Sequence, residues 1–456
     1  MLYAIYVLFA VIAMLPFLRL PVRTAVLIVF FGGWILLPVG HYPPVATDGL
    51  PWWIVGTALP SDMLVTKAWV VAAAALLWGV VFDRRRVSRW RPHWIDLPMA
   101  AWCLWPLVDG LIAATPSPSP LVACLYVTGC WGLPWLLGRI WIATADDRLA
   151  LLRAQVWAGL AMLPVAIMEA SVGPFLYDAI YAPHPFRTDG MERYVGYRPL
   201  GLLEHGNQYG IWICLNALAA LWLAFGQAED DRGRRGLVPA AILTVMAVAA
   251  QSIGALLLLV AGLVFLILRS RAFLKPLLGG VIGIVALVAA AHLSGIVPVQ
   301  RIARDTAFGQ EVLGAVRGIG RGSFTWRISQ DTKVLPAIHA APVQGTAQWD
   351  WFRRFGTRPW GLAMLIVGQF GLIGLLLAFG SVIAPALAIL WRRVAYAAWA
   401  ADDETLPLAM IVLLAMADAT LNSFIYMPAI LIAGAIAVRP VTSTRGRGRP
   451  RRSQSG

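Results

Sequence analysis

Apolar runs of about bilayer length follow one another along almost the whole chain, and they constrain its fold more than any other feature. A helix needs about 20 mostly apolar residues, within a range of roughly 17–25, to cross a bilayer. The predicted membrane helices are 2–18, 22–38, 64–82, 96–114, 120–142, 154–172, 208–226, 237–251, 252–268, 276–297, 360–391, 406–420 and 421–438. Charged residues make up only 13% of the chain and hydrophobic residues 59%, whereas soluble proteins carry about 25% charged residues. We therefore expect an all-α polytopic membrane protein with about 12–13 transmembrane helices.

Positive charge is concentrated in every second connection between these helices. The basic residues concerned are Arg19, Arg23, Arg84, Arg85, Arg86, Arg89, Arg91, Arg148, Arg153, Arg232, Arg234, Arg235, Arg269, Arg271, Lys275, Arg392 and Arg393. Cytoplasmic connections of membrane proteins are rich in Lys and Arg, so the alternation explains the net charge of +14 without a nucleic-acid partner. The N-terminal run has no basic n-region and no small-residue cleavage site, so we expect a retained first helix. The alternation places its N-terminus outside and the C-terminus in the cytoplasm, with a disordered basic tail over 439–456. Contact of that tail with membrane lipids is a further expectation.

The connection over 298–359 is much longer than usual, at about 60 residues. The alternation of helices places it on the outer side, although it is rich in arginine. Long loops translocate largely regardless of their charge, so the predicted topology stands, and an anionic ligand is the simplest reason for the excess. We expect this loop to be partly helical and functional.

The four cysteines all lie inside apolar runs, with no C-x-x-C spacing and no clustered histidines. Small buried apolar residues are the simplest interpretation of them. The cysteines therefore indicate neither a metal site nor a disulfide framework, and we expect no cofactor.

A polar segment over 198–210, RPLGLLEHGNQYG, stands directly before a long apolar run. It brings Arg198, His205 and Asn207 to the predicted membrane surface, where polar groups usually line a site or a cavity. His205 is a candidate base, because unperturbed imidazole titrates near pH 6.5; a hydrogen bond at the entry of the helix is the structural alternative. His339, in the long loop, is the other candidate base.

Two further segments bring polar residues to the same outer face. Arg327 lies in the long loop, and Asp418 and Asn422 lie at the outer end of the last helix pair. Guanidinium groups bind phosphate oxygens through paired hydrogen bonds, so Arg198 and Arg327 suit a pyrophosphate. Pairing with lipid headgroups or nearby acids is the alternative for the arginines, and a structural ion pair is the alternative for Asp418.

These residues follow a pattern that resembles the O-antigen ligase and O-antigen polymerase superfamily of bacterial membrane glycosyltransferases. The superfamily shows an R-x-x-G-x-x-x-H/N-x-N segment, an SRGA-like turn, a loop Arg followed by Pro and Gly, a glycine pair opening a helix, and a D-x-x-x-N-like pair. The corresponding positions are Arg198, Gly201, His205, Asn207, Ser252, Gly254, Ala255, Arg327, Pro342, Gly345, Gly371, Gly374, Asp418 and Asn422. The resemblance covers 197–438, including the loop 298–359, and leaves 1–196 as additional membrane helices.

The resemblance implies transfer of a glycan from undecaprenyl pyrophosphate to an acceptor sugar hydroxyl, at the periplasmic face of the bacterial inner membrane. It implies that Arg198 and Arg327 bind the pyrophosphate, with Asn207, Asp418 and Asn422 in the same substrate site, and that a histidine takes the acceptor proton. No metal is needed if arginine supplies the positive charge. Ligase and polymerase are not separated by the sequence.

Two positions depart from the superfamily pattern. Trp360 stands where the superfamily usually has a loop-end histidine, and Ile253 replaces the arginine of the SRGA-like turn. Another group must therefore serve as the base, and His339 and His205 are the candidates. Arg358 supplies charge near Trp360 and is assigned to substrate binding, because a guanidinium stays protonated and is a poor base.

Two other classes of protein remain as alternatives. A transporter or flippase of polysaccharide lipids is disfavoured because no inverted repeat is seen and the polar groups gather at one face. A noncatalytic scaffold of envelope assembly is kept open by Trp360.

Overall fold

The computed structural model describes residues 2–39, 58–61, 65–181, 192, 195–226, 231–268, 273–294, 305–318, 322–395 and 404–437. These residues form twenty α-helices and no strand. The helices are α1 Leu2–Ile12, α2 Leu15–Arg19, α3 Val22–Leu36, α4 Lys67–Phe82, α5 Arg84–Arg89, α6 Leu97–Ile112, α7 Pro120–Val127, α8 Leu133–Trp141, α9 Ala145–Ala161, α10 Leu163–Val172, α11 Leu176–Tyr181, α12 Gly206–Gly226, α13 Asp231–Ala249, α14 Ile253–Ile267, α15 Leu274–Ser294, α16 Ala307–Gly318, α17 Gly322–Ala340, α18 Leu362–Ala395, α19 Thr405–Leu421 and α20 Met427–Ile436.

The apolar helices agree with the predicted runs. Among the described residues, six helices are long and apolar enough to cross a membrane, and seven shorter apolar helices accompany them. Each predicted run overlaps one of these helices, and the predicted turns near Gln251 and Asn422 separate α13 from α14 and α19 from α20. The expected all-helical architecture is confirmed. The basic tail, 439–456, lies outside the described residues.

Helix starts follow local chemistry. Proline occupies the first turn of α6, α7 and α20, where its missing N–H costs nothing. The hydroxyl of Thr144 accepts from the Asp147 N–H, while the Asp147 carboxylate accepts from the Thr144 N–H, so a capping box begins α9.

Small residues let helices α8 and α20 approach closely. A Cβ at Gly138 would meet the backbone of α20 at Leu431, and one at Gly434 would meet the backbone of α8 at Trp135. Such close packing replaces the hydrophobic driving force that is missing between helices in lipid.

Four ion pairs gather several helix ends at one end of the bundle, which we call the basic end. Asp147 at the start of α9 accepts from Arg23 at 2.8 Å and from Arg86 at 2.7 Å. Arg139 pairs with Asp96 at 2.7 Å, and Arg148 pairs with Glu404 at 2.8 Å. These residues belong to α3, α5, α8, α9 and the segments that precede α6 and α19.

Helix α12 is the central helix, and polar residues gather at its N-terminus. It packs against α9, α13, α14 and α19, and most of its side chains are buried. Its N-terminus at Gly206 lies beside the end of α19 and the turn between α13 and α14, at the opposite end of the bundle from the basic end. We call this the Arg198 end.

Helix α18 is broken at Gly371, and a turn of the preceding segment fills the break. Gly371 has φ +68°, and a Cβ there would collide with the Val343 carbonyl. The Leu372 N–H donates to the Pro342 carbonyl at 2.9 Å, and the Ala347 N–H donates to the Gln369 carbonyl at 2.8 Å. The inserted turn therefore satisfies backbone groups that the break would leave unpaired, as lipid requires.

Candidate functional site

Arg198 is the centre of a polar cluster at the Arg198 end. Its guanidinium donates to the Asn207 side-chain oxygen at 2.8 Å and to the Gln251 backbone carbonyl at 2.8 Å. The aliphatic part of the side chain lies against Gly206, where a Cβ would meet Arg198 Cδ. Arg198 is buried and stands beside the N-terminus of α12, so the positive helix end and the guanidinium favour negative charge at one place.

A chain of hydrogen bonds extends from Arg198 to the last helix pair. The Asn207 amide donates to the Asn422 side-chain oxygen at 3.3 Å, across 215 residues of sequence. The Asn422 amide in turn donates to the Asp418 carboxylate at 2.8 Å. We call these four residues the contact chain. Asp418 and Asn422 are both buried, and the structure brings them together with Arg198 and Asn207 as the sequence predicted.

His205 joins the same cluster. Its Nδ1 accepts from the Asn207 backbone N–H at 3.0 Å, and its ring stacks on Phe424 with centroids 5.6 Å apart. Because Nδ1 accepts this hydrogen bond, the proton of the neutral imidazole lies on Nε2. The helix-entry hydrogen bond expected as the structural alternative is therefore present.

The turn between α13 and α14 completes the surroundings of Arg198. Gln251 has φ +48°, and its amide donates to the Val195 carbonyl at 2.6 Å while its carbonyl oxygen accepts from the Val195 N–H. Ser252 packs on Gly210 of α12, where a Cβ would meet the serine side chain. The positive φ at a non-glycine residue is uncommon, and it turns the Gln251 backbone carbonyl toward Arg198.

Arg358 and Trp360 lie on the segment that precedes α18. The Arg358 guanidinium lies 5.0 Å from the centroid of the Trp360 ring, and Arg358 is buried. The next residues reach the end of α19, because the Leu362 N–H donates to the Asn422 backbone carbonyl at 3.0 Å. The position where the superfamily has its histidine is therefore close to Asn422 and is occupied by an arginine–tryptophan contact.

The two remaining residues that the sequence assigned to the site, Arg327 and His339, belong to α17. Arg327 lies one helical turn before Gln330, which accepts from the Thr357 hydroxyl at 2.6 Å, but the Arg327 side chain lies outside the described part of the chain. His339 is exposed, and its Nε2 lies 2.8 Å from the Leu293 carbonyl of α15. It lies nine positions after Gln330 in the same helix, about 13 Å further along the axis, and no described hydrogen bond connects it to the contact chain.

Sequence reasoning missed four buried charged residues near this end: Lys67, Asp109, Glu169 and Glu204. Each lies inside or next to an apolar run, which is a signal of function in membrane proteins. Asp109, on α6, is completely buried, and its carboxylate oxygens make no hydrogen bond within the described residues. Trp105, one turn earlier, donates to the Phe370 carbonyl at 2.9 Å, which places this part of α6 beside the break in α18.

Metal-ligating groups do not gather in the described part of the chain. No set of three or more His, Cys, Asp or Glu residues there is close enough to hold an ion. The four cysteines are buried and free. The chemistry of the described cluster is thus that of arginine, amide, imidazole and carboxylate groups.

Comparison with known proteins adds no family to these observations. No protein-family model matches the chain, and no curated protein matches it.

Proposed function

We propose that this protein is a glycosyltransferase of the O-antigen ligase and polymerase type. It moves a glycan from undecaprenyl pyrophosphate to a sugar hydroxyl at the outer face of the bacterial inner membrane. The contact chain carries the proposal, because it unites four residues that the resemblance assigns to one substrate site, from segments 215 residues apart.

The transfer develops negative charge on the leaving group. The acceptor oxygen bonds to the anomeric carbon, the bond from that carbon to the pyrophosphate oxygen breaks, and the hydroxyl proton passes to a base. Arg198 and the N-terminus of α12 are aimed at one place, and such preorganised positive groups stabilise a leaving pyrophosphate. The amides of Asn207 and Asn422 both donate and accept hydrogen bonds, which suits sugar hydroxyls.

Proton transfer is assigned from the hydrogen bonds of the cluster. The Asp418 carboxylate accepts a hydrogen bond from the Asn422 amide, and we assign it as the base because a carboxylate is able to take up the proton of the acceptor hydroxyl. The predicted roles of His205 and His339 as bases are the alternative, and the pH dependence of the rate of Asp418→Asn distinguishes them.

Sidedness follows from the two ends of the bundle. The basic end is cytoplasmic under the positive-inside rule, so the Arg198 end faces the periplasm. This orientation places the contact chain where lipid-linked glycans become available after they have crossed the membrane.

Deletion of the gene, with complementation by the wild-type gene, tests the proposed function. Accumulation of full-length lipid-linked polymer is the expected result for a ligase, and accumulation of single lipid-linked repeat units is expected for a polymerase. Both are measured by extracting the lipid-linked intermediates and comparing them with the finished surface polymer. Unchanged intermediates and unchanged polymer contradict the proposal.

A transporter of polysaccharide lipids is the second candidate, favoured by two observations. Helix α18 is broken at Gly371, and discontinuous membrane helices are typical of transporters. Asp109 is a buried carboxyl on the neighbouring helix, and such groups often mark transport pathways. In the deletion strain, this function traps the lipid-linked intermediates on the cytoplasmic side, where a membrane-impermeant glycosidase does not reach them.

A further inference from the structure

The loop that carries Arg198 is held by buried charged residues from other helices. We call residues 198–205 the Arg198 loop. Gly201, in its middle, has φ +60°, and a Cβ there would collide with the end of the Met162 side chain. This left-handed backbone conformation favours glycine, so the course of the loop past Met162 depends on Gly201.

Glu169 binds the backbone of this loop from α10. One carboxylate oxygen accepts from the N–H groups of Leu200 and Gly201, both at 2.7 Å. The other accepts from the N–H of Leu176 at 3.3 Å. Glu169 is 1% exposed, and a carboxylate removed from water is tolerated only when hydrogen bonds replace its hydration. The Arg198 loop supplies the two shortest of these bonds.

Lys67 binds the next peptide group with the opposite charge. Its ammonium, at the start of α4, donates to the Leu202 carbonyl at 3.0 Å and lies 5.0 Å from the centroid of the Trp34 ring. Lys67 is completely buried, and the charge of Glu204 in the same loop acts on it. Together, the Glu169 carboxylate and the Lys67 ammonium hold the backbone of the three consecutive residues 200–202.

This arrangement differs from an ordinary structural ion pair. Glu169 and Lys67 direct their hydrogen bonds to the loop backbone, starting two residues after Arg198. Charge-assisted hydrogen bonds of this kind are about twice as strong as neutral ones. The position of the Arg198 backbone is therefore set from α10 and α4, while Asn207 and Gln251 orient only the guanidinium.

We propose that Glu169, assisted by Lys67, is a positioning residue that sets the place of the Arg198 guanidinium for a pyrophosphate ligand. The role rests on the proposed function, because it requires that Arg198 bind pyrophosphate. It explains why two ionisable side chains are buried at the membrane end next to the contact chain.

The experiment measures binding of undecaprenyl pyrophosphate to the purified full-length protein in lipid nanodiscs, with undecaprenol as the neutral control. Glu169→Gln weakens binding of the pyrophosphate lipid about tenfold, and Lys67→Met weakens it in the same way. Glu404→Gln is the matched control, because it makes the same glutamate-to-glutamine change in a hydrogen-bonded side chain at the basic end, outside the Arg198 loop, and it binds as the wild type does.

A double variant separates positioning from general destabilisation. If Glu169 acts through Arg198, then Glu169→Gln adds no further loss to Arg198→Ala. An additive loss in the double variant overturns the positioning role. So does wild-type binding by both Glu169→Gln and Lys67→Met when Arg198→Ala has lost binding, and that result leaves the proposed function intact. Equal binding of both lipids by the wild type overturns the proposed function itself.

Discussion

Arginine serves different purposes at the two ends of this bundle. At the basic end, Arg139 lies on the Asp96 carboxylate and Arg148 on the Glu404 carboxylate, so positive charge meets negative charge. At the other end, Arg198 donates to an amide oxygen and a backbone carbonyl, which are neutral. The carboxylates at the basic end balance the guanidinium charge, whereas the amide oxygen and the backbone carbonyl at Arg198 fix the direction of its guanidinium. The comparison therefore separates arginines that join helix ends through carboxylates from an arginine that two neutral groups orient beside the N-terminus of α12.

The largest effect is expected at Arg198. Its replacement by alanine removes positive charge from the proposed leaving-group site and lowers transfer activity about 1000-fold, a loss of about 4 kcal/mol of transition-state stabilisation. Activity is measured as formation of finished surface polymer at matched protein level. Arg198→Lys keeps the charge without the planar fork and recovers only part of the activity. Full activity of Arg198→Ala contradicts the proposed role of Arg198 at the leaving group.

The positions of the helices were predictable because the length of an apolar run determines whether it can cross a bilayer. Each predicted run overlaps a helix, as 208–226 overlaps Gly206–Gly226. The break in α18 was not predictable. Glycine in an apolar run does not reveal that Gly371 admits a turn beginning at Pro342, since the partner segment lies earlier in the chain and its insertion is a tertiary contact.

The contact chain was predictable in part for the same reason. Alternating helices bring every second helix end to one face, so Arg198, Asn207 and Asn422 were expected to lie on one side. The supporting residues were not found, because hydropathy places Glu169 and Lys67 in apolar surroundings without showing which backbone groups they bind. His339 was a candidate because histidine is a residue type that serves as a base. Its contact with the Leu293 carbonyl depends on how α17 packs on α15, which the sequence does not show.

The next effect is on stability, at Arg139. The side chains of Arg139 and Asp96 are 8% and 12% exposed, and removal of one partner leaves the other buried and charged. Arg139→Ala is expected to lower the free energy of unfolding by about 3 kcal/mol, measured by thermal denaturation in detergent. The double variant Arg139→Ala with Asp96→Ala regains part of this loss. Equal stability of the single and double variants contradicts an ion pair that acts as a unit.

The smallest effect is expected at Arg23, and it refines the comparison within the basic end. Its side chain is 32% exposed, and Arg86 stays on Asp147 when Arg23 is replaced. Exposed ion pairs contribute little and are screened by salt, so Arg23→Ala is expected to cost about 0.5 kcal/mol, and less at high ionic strength. The melting temperature in low and high salt measures this, with Arg139→Ala as the reference. If Arg23→Ala lowers the free energy of unfolding as much as Arg139→Ala does, burial does not determine how much these ion pairs contribute to stability. The contrast between the two ends would then have to rest on the acceptor chemistry alone.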